Sequence, residues 1–181
     1  MALEHGHDKK EITARLDAQN SSGQLRDAIF GGIDGTVTTF AIVAGVQGAG
    51  LPASIVIALG LANVLADGFS MAAGNYAGTK AIADDRRRLW EVEERHIREN
   101  PQGERDELEQ ILSRKGLTGQ VLQDATTMIS ANKKQWITMM MSEEYGLPPV
   151  DDRPIRAAIV IFVAFVLAGM LPLLPYLVGL T

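Results

Sequence analysis

The sequence predicts an all-α membrane protein in which a charged helical segment lies between the second and the third of three transmembrane helices. Residues 28–78 contain only two acidic side chains and no Lys or Arg, and residues 157–181 contain no charge at all. The chain has no Cys, so it has no disulfide framework. Its 22 acidic and 17 basic side chains give a net charge of -5, which indicates no nucleic-acid partner.

Three windows are long enough to cross a bilayer, which requires about 20 mostly apolar residues. They are 28–48, 53–77 and 156–179. The first two are separated only by GAGLP (48–52), which predicts a tight hairpin. Pro172 and Pro175 are expected to kink the far end of the third.

Basic side chains indicate the orientation. The hairpin has none, whereas the opposite ends of the spans carry Arg26, Lys80, Arg86, Arg87, Arg88, Arg153 and Arg156. The positive-inside rule therefore places the N-terminus and residues 79–154 in the cytoplasm. The polar first 27 residues lack an apolar h-region, so no cleavable signal peptide is expected.

Four segments follow from this reading. They are a cytoplasmic N-terminal segment (1–26), a transmembrane hairpin (27–80), a cytoplasmic helical domain (81–150) and the third transmembrane helix (151–181).

The cytoplasmic domain is predicted to contain three helices. The second span is expected to continue through IADDRRRLWEVEERHIRE (82–99) as one long helix, which NPQG (100–103) ends. A short amphipathic helix (104–116) and a third helical stretch (118–146), with an interruption near Asn132, follow. LPPVDDRP is read as a stiff linker back to the membrane.

Polar and small side chains share one face of each of the first two spans. A helical spacing of three and four residues aligns them. On the first span they are Asp27, Gly31, Asp34, Thr38, Ala41 and Gly45, and on the second Asn63, Asp67, Met71 and Gly74.

A carboxylate at mid-bilayer needs a partner, a proton or water, because an unpaired charge there costs at least about 2.5 to 3.5 kcal/mol. Neither span offers Lys or Arg. One reading makes Asp34 and Asp67 hydrogen-bonding groups between closely packed helices. The other makes Asp34 part of a cation path with Thr38, Asn63 and Met71. The glycines around Asp34 fit either local unwinding or close packing.

The cytoplasmic helices carry a second set of candidate ligands. Carboxylate and imidazole suit divalent first-row metals, and a thioether disfavours hard cations. Taken singly, each Glu is more often solvated and each Met more often packs in a core. Together, seven side chains could converge on one or more metal ions: Glu93, His96, Glu104, Glu107, Met140, Met141 and Glu144.

Four motifs resemble the vacuolar iron transporter family, which includes bacterial and nodulin-like members. They are RDAIFGGIDGTVTTFAIVAGVQGAG, GLANVLADGFSMAAGNYAGTKA, MMMSEEYGLPP and FVLAGMLPLLPYL. The resemblance implies a secondary transporter rather than an enzyme, exporting ferrous iron from the cytosol in exchange for protons. It also implies a homodimer with five spans per subunit and a cytoplasmic metal-binding domain between spans two and three.

The resemblance assigns roles by position. Asp34 and Met71 would form the transport path, with Asp27 at its cytoplasmic entrance and Asn63 where some members have Glu. Asp67 is the fifth residue of the predicted path. The seven cytoplasmic side chains would form the capture site, with His96 where a further Glu is expected. The metal that the resemblance implies is Fe²⁺, with Mn²⁺, Zn²⁺ or Co²⁺ as other candidates, and no organic cofactor is expected. The expected host membrane is a bacterial inner membrane or a vacuolar-type membrane.

The chain ends at Thr181, so the family's last two spans are expected to be absent. One alternative is therefore a membrane-anchored metal sensor or buffer that binds without transport. A more remote one is a ferritin-like di-iron oxidase, suggested by Glu93-x-x-His96. That fold needs two such motifs on four long helices, and this sequence has one.

Overall fold

A computed structural model describes residues 7–17, 22–147 and 153–179, and all regular structure within these ranges is helical. A 3₁₀ turn, Leu171–Leu173, precedes the last helix. The helices are α1 (Lys9–Asp17), α2 (Ser22–Gly48), α3 (Ala53–Glu99), α4 (Pro101–Arg114), α5 (Gly119–Ser130), α6 (Lys133–Glu143), α7 (Pro154–Met170) and α8 (Leu174–Leu177).

The chain divides into two compact units. Met1–Lys80 and Asp151–Thr181 form the first unit, and Ala81–Val150 forms the second.

Three helical segments in the described part are long and apolar enough to cross a membrane: Gly23–Gly48, Ala53–Glu99 and Pro154–Leu177. Large apolar side chains on α2, including Ile33, Val37 and Phe40, are exposed in this unit. Such a surface is unusual for a protein in water and expected for one in lipid. The fold is therefore that of an all-helical membrane protein, and the three predicted spans lie where the sequence placed them.

In the first unit, α2 and α7 pack closely against each other. A Cβ on Gly31 would overlap the carbonyl oxygen of Ile161, and one on Gly35 would overlap that of Phe165. From the other side, a Cβ on Gly169 would lie 3.1 Å from the Gly35 carbonyl oxygen. Small residues at this spacing let the two backbones approach.

The glycines near Asp34 therefore serve helix packing. Local unwinding, one of the two readings of the sequence, is not observed, because α2 runs without interruption from Ser22 to Gly48. The expected irregularity in the third span is present. It begins after Met170, where a 3₁₀ turn containing Pro172 replaces the α-helix.

The connection between the first two spans is the tight turn that the sequence predicts. Gly50 adopts φ 67°, a left-handed conformation that glycine reaches without steric cost. Ala49, Gly50 and Leu51 donate main-chain hydrogen bonds back to the end of α2. These bonds satisfy carbonyl groups that the helix end would otherwise leave unpaired.

The second unit contains the far end of α3 together with α4, α5 and α6. Its apolar core consists of buried side chains from the last three of these helices: Leu108, Leu112, Leu122, Trp136 and Met140. Polar contacts join α4 to α5, where Arg105 donates to Thr127 at 2.6 Å and Gln123 donates to Glu109 at 2.7 Å. The core and these contacts hold α4, α5 and α6 in a fixed arrangement.

Several boundaries differ from the sequence reading. Of the predicted NPQG break, only Asn100 lies outside the helices. Its side chain accepts a hydrogen bond from Gly103 N and so caps α4, and Pro101 occupies the first turn of that helix. The predicted interruption of the third helical stretch near Asn132 is present, because Asn132 caps a new helix in the same way. Helix α1 was not expected. Most of the predicted linker (148–152) lies outside the described residues.

Candidate functional site

Three side chains of the second unit converge at one point. Glu93 and His96 lie one turn apart on α3, and Glu104 lies in the first turn of α4. His96 Nδ1 is 3.7 Å from Glu93 Oε1 and 3.5 Å from Glu104 Oε1. One ligand atom from each residue lies within 4.8 Å of the other two, so the group could hold a metal ion.

The two carboxylates are buried and only partly satisfied. Glu93 is fully buried and Glu104 is 8% exposed. The Oε2 atoms of both have no hydrogen-bond partner among the described residues. Leaving a buried charged acceptor unpaired costs about 1–3 kcal/mol or more. A divalent cation would satisfy both oxygens at once, so the donor set fits a metal such as Fe²⁺ or Zn²⁺.

The acids of this cluster raise one another's pKa. Burial, then the nearby charges of Glu93 and Glu107, raise the pKa of Glu104 to about 7. Burial and the charges of Glu107 and Glu93 also raise the pKa of Glu144. In the metal-free protein these carboxylates repel one another. A bound cation would neutralise this excess negative charge.

The remaining predicted ligands surround this cluster to different degrees. Glu107 and Glu144 are near enough to influence Glu104 electrostatically. Met141 is buried, 3% exposed, near the end of α6. Met140 is fully buried and packs in the core with Leu108 and Trp136. This placement gives Met140 a packing role in the core, and its role as a metal ligand stays a prediction.

A tyrosine that the sequence reading missed belongs to the same site. Tyr145 donates its hydroxyl hydrogen bond to Glu93 Oε1 at 2.8 Å. Burial, then the hydrogen bond to Glu93, raise the pKa of Tyr145, so the hydroxyl keeps its proton. Its position directly after the acidic pair of the MMMSEEYG motif is the only sequence signal that pointed to it.

The first unit contains a cavity of about 640 Å³ between its helices. Three of the five predicted transport residues, Asp27, Asp34 and Met71, are among its lining residues. Asp27 is 5% exposed, and Arg26 lies 3.6 Å from its carboxylate. The structure therefore brings two carboxylates and a thioether to one space.

The other two predicted transport residues do not line this cavity. Asn63 donates to the Thr38 hydroxyl at 3.3 Å, and Thr38 donates to the Asp34 main-chain oxygen at 2.8 Å, so Asn63 is linked to the Asp34 turn. Asp67 lies on α3 outside the lining residues. Asn75 was missed: it lines the cavity, and its buried Nδ2 has no partner among the described residues.

The fold and these two sites define a helical membrane protein that has carboxylate side chains lining a cavity among its apolar helices and, in a separate polar unit, a group of three side chains that could hold a metal ion. A family model described as the VIT family matches residues 25–181, so this chain belongs to the VIT family.

Curated relatives agree. The protein named vacuolar iron transporter 1 of Oryza sativa subsp. japonica is 34% identical over 174 residues, which cover 96% of this chain and 66% of the relative. Vacuolar iron transporter 1 of Arabidopsis thaliana is 34% identical, with 97% and 67% covered. The vacuolar iron transporter of Toxoplasma gondii is 40% identical, with 84% and 52% covered. The chain thus spans about half to two thirds of these relatives' lengths.

Proposed function

We propose that this protein is a secondary transporter that moves ferrous iron, with manganese as a second substrate, out of the cytosol in exchange for protons. The observation that carries the proposal is the convergence of Glu93, His96 and Glu104, with two buried carboxylate oxygens unpaired. The names of the relatives supply the cargo, because the same ligands would also suit Zn²⁺ or Co²⁺.

The capture step takes place in the second unit. Fe²⁺ binds the oxygens of Glu93 and Glu104 and the imidazole of His96, displacing the proton of Glu104. Glu107, Glu144, Met141 and Met140 complete the proposed ligand set. This binding relieves the mutual repulsion that raises the pKa of Glu104.

The transfer step uses the cavity of the first unit. Asp27 receives the ion at the cytoplasmic entrance, and Asp34 and Met71 bind it further along. A carboxylate among apolar helices is least costly when it carries either a proton or a cation. Alternation between the two on Asp34 couples metal export to proton import. Asn63 and Asp67 complete the proposed path.

The proposed setting is a homodimer in a bacterial inner membrane or a vacuolar-type membrane. The N-terminus and residues 79–154 face the cytoplasm in this proposal, because the basic residues lie at those ends of the spans. Metal captured by the second unit is then taken from the cytosolic side.

Flux measurement tests the transport function. The protein is reconstituted in vesicles with an internal Fe²⁺-sensitive dye and an opposing proton gradient. Wild-type protein should carry Fe²⁺ and move protons the other way, and Asp34→Ala should lower the Fe²⁺ flux at least about tenfold, since the carboxylate is lost. Gly45→Ala on the same helix, where an added Cβ meets nothing within 4 Å, serves as the control. Unchanged flux in Asp34→Ala would exclude the carboxylate path.

A metal sensor or buffer in the membrane is the second candidate. It is favoured by one observation: Glu93, His96 and Glu104 all lie within one compact unit and need no transport path to bind a metal. Under this alternative, wild-type protein binds Fe²⁺ with an affinity that Glu104→Gln lowers, but neither Fe²⁺ nor proton flux exceeds that of empty vesicles.

A further inference from the structure

Arg26 places a positive charge beside the carboxylate to which the proposed transport path assigns ion entry. Its Nη2 atom lies 3.6 Å from Asp27 Oδ1, which is close enough for attraction but longer than a hydrogen bond. Both residues line the cavity that also contains Asp34 and Met71. An incoming metal ion therefore meets a carboxylate that already has a cation next to it.

The two partners differ in their freedom to move. The Asp27 side chain is 8% exposed, whereas that of Arg26 is 67% exposed. Within the described ranges, Asp27 is the only residue with which Arg26 forms an ion pair. The guanidinium can therefore leave Asp27 by rotation within its own long side chain, without movement of α2, and an exposed ion pair of this kind is easily broken.

The charges in the cavity favour this departure when a divalent ion binds. Among the residues that line the cavity, Asp27 and Asp34 are the acids and Arg26 is the base. A divalent cation on the two carboxylates already cancels their charge, so a guanidinium that stayed would leave a net charge of +1. Uncompensated charge among apolar helices is costly, and the bound ion repels the guanidinium directly.

We propose that Arg26 is a displaceable counter-ion of Asp27, which neutralises this carboxylate in the metal-free protein and gives up its place to the entering divalent cation. This inference rests on the proposed transport through the cavity. It makes Arg26 a competitor of the cargo, because the guanidinium and the metal ion are attracted to the same carboxylate. Since a guanidinium keeps its proton in proteins, the step exchanges one cation for another.

Arg26→Gln removes the competing charge, and initial Fe²⁺ flux into vesicles over a series of Fe²⁺ concentrations measures the effect. The apparent KM should fall about threefold, the order of effect of one exposed ion pair. The maximal rate should stay unchanged, because at saturation the ion has displaced the guanidinium in wild-type protein as well. Arg26→Met, also uncharged, should act in the same way, whereas Arg26→Lys keeps the charge and should retain the wild-type KM. Thermal unfolding checks that each variant is folded.

Two controls separate the ion pair from the general surface charge. Arg156→Gln removes the same charge from an exposed arginine of the same unit that is not among the lining residues, and it should leave the KM unchanged. Asp27→Asn removes the shared carboxylate. In that background Arg26→Gln should no longer lower the KM of the residual flux, because the guanidinium and the ion have nothing to compete for.

Each contrary outcome has a distinct meaning. If Asp34→Ala carries Fe²⁺ as fast as wild type, the proposed transport path fails and the role of Arg26 fails with it. If the flux depends on Asp34 but Arg26→Gln leaves the KM unchanged, or lowers it no more than Arg156→Gln does, only the role of Arg26 is wrong. If Arg26→Gln raises the KM of a folded protein, Arg26 assists ion entry, and the inference is overturned.

Discussion

Gly35 has no room for a side chain, because a Cβ there would overlap the carbonyl oxygen of Phe165 and lie 3.1 Å from its Cα. The contact joins α2, which carries Asp34, to α7, and Gly31 makes an equally close contact with Ile161 one turn earlier. A close-packing position and a residue of the proposed transport path are therefore adjacent in the sequence of α2.

Replacing Gly35 by Ala should separate α2 from α7. We expect a loss of about 1–3 kcal/mol in unfolding free energy, because the added methyl group meets backbone that cannot rotate away. Denaturant titration of the protein in micelles measures it. Gly32→Ala is the matched control, since its Cβ would meet only Ala168 Cβ at an ordinary 3.8 Å. Equal stability of the two variants would refute the close-packing account.

Metal affinity should depend on pH through Glu104. Its pKa is raised to about 7, and a carboxyl group must lose its proton before it binds a cation. Below pH 7, affinity should therefore fall by up to about tenfold per pH unit, and above it the dependence should flatten. Co²⁺ titrations from about pH 5.5 to about pH 8.5, a range that brackets this pKa, measure the dependence. A flat profile in wild-type protein would contradict the assignment.

The same carboxyl makes the metal-free protein less stable at high pH. Folded Glu104 holds its proton up to about pH 7, whereas the unfolded side chain loses it near its ordinary value of 4.5. The folded state therefore binds more protons between these values, and its stability falls as the pH rises through them, by on the order of 1 kcal/mol. Unfolding temperatures at both ends of this window, with chelator present, measure the loss. Glu104→Gln should remove most of it, and an equal loss in that variant would assign the effect to other groups.

The sequence predicted the spans well for a local reason. A segment in lipid must satisfy its own backbone, so about 20 apolar residues suffice to indicate a helix without knowledge of its neighbours. The long helix continuing beyond the second span was predictable for a similar reason, since residues 82–99 contain no breaker. Whether each of these segments forms a helix could therefore be predicted from its own composition.

The relations between helices were less predictable. Spacing placed Gly31 and Asp34 on one face, but only the structure shows that Gly31 faces Ile161 on α7 while Asp34 lines a cavity with Met71. Which helix lies opposite another depends on contacts distant in sequence. Tyr145 was missed for the same reason: its partner, Glu93, lies more than 50 residues earlier.

Substitution of Met140 tests its contribution to the core of the second unit. It is fully buried against Leu108, Leu112 and Trp136, so Met140→Ala should cost about 2–5 kcal/mol of unfolding free energy by leaving a cavity. Met140→Leu conserves volume and should cost less than about 1.5 kcal/mol. Unfolding of both variants, followed by the fluorescence of Trp90 and Trp136, gives the comparison. A Met140→Ala variant as stable as wild type would mean that this side chain does not support the core.

His96 offers the last test, because it is the one imidazole in a cluster of carboxylates. Imidazole suits Zn²⁺ and Fe²⁺, whereas oxygen ligands alone suit Mn²⁺ and Mg²⁺. His96→Glu should therefore shift preference toward Mn²⁺, lowering the ratio of its dissociation constant to that of Zn²⁺ by about tenfold, the order of effect that one altered ligand produces. His96→Gln, which adds no charge, separates loss of imidazole from gain of a carboxylate.

The same substitutions should also change the pH dependence of metal binding. His96 Nδ1 lies 3.5 Å from Glu104, so the negative charge added by His96→Glu should raise the pKa of the Glu104 carboxyl further. The pH at which metal affinity flattens should then move upward in both variants, and further in His96→Glu, because His96→Gln only removes the lowering effect of the His96 charge on Glu104. An unchanged Mn²⁺ to Zn²⁺ ratio in His96→Glu would place His96 outside the metal's ligand shell.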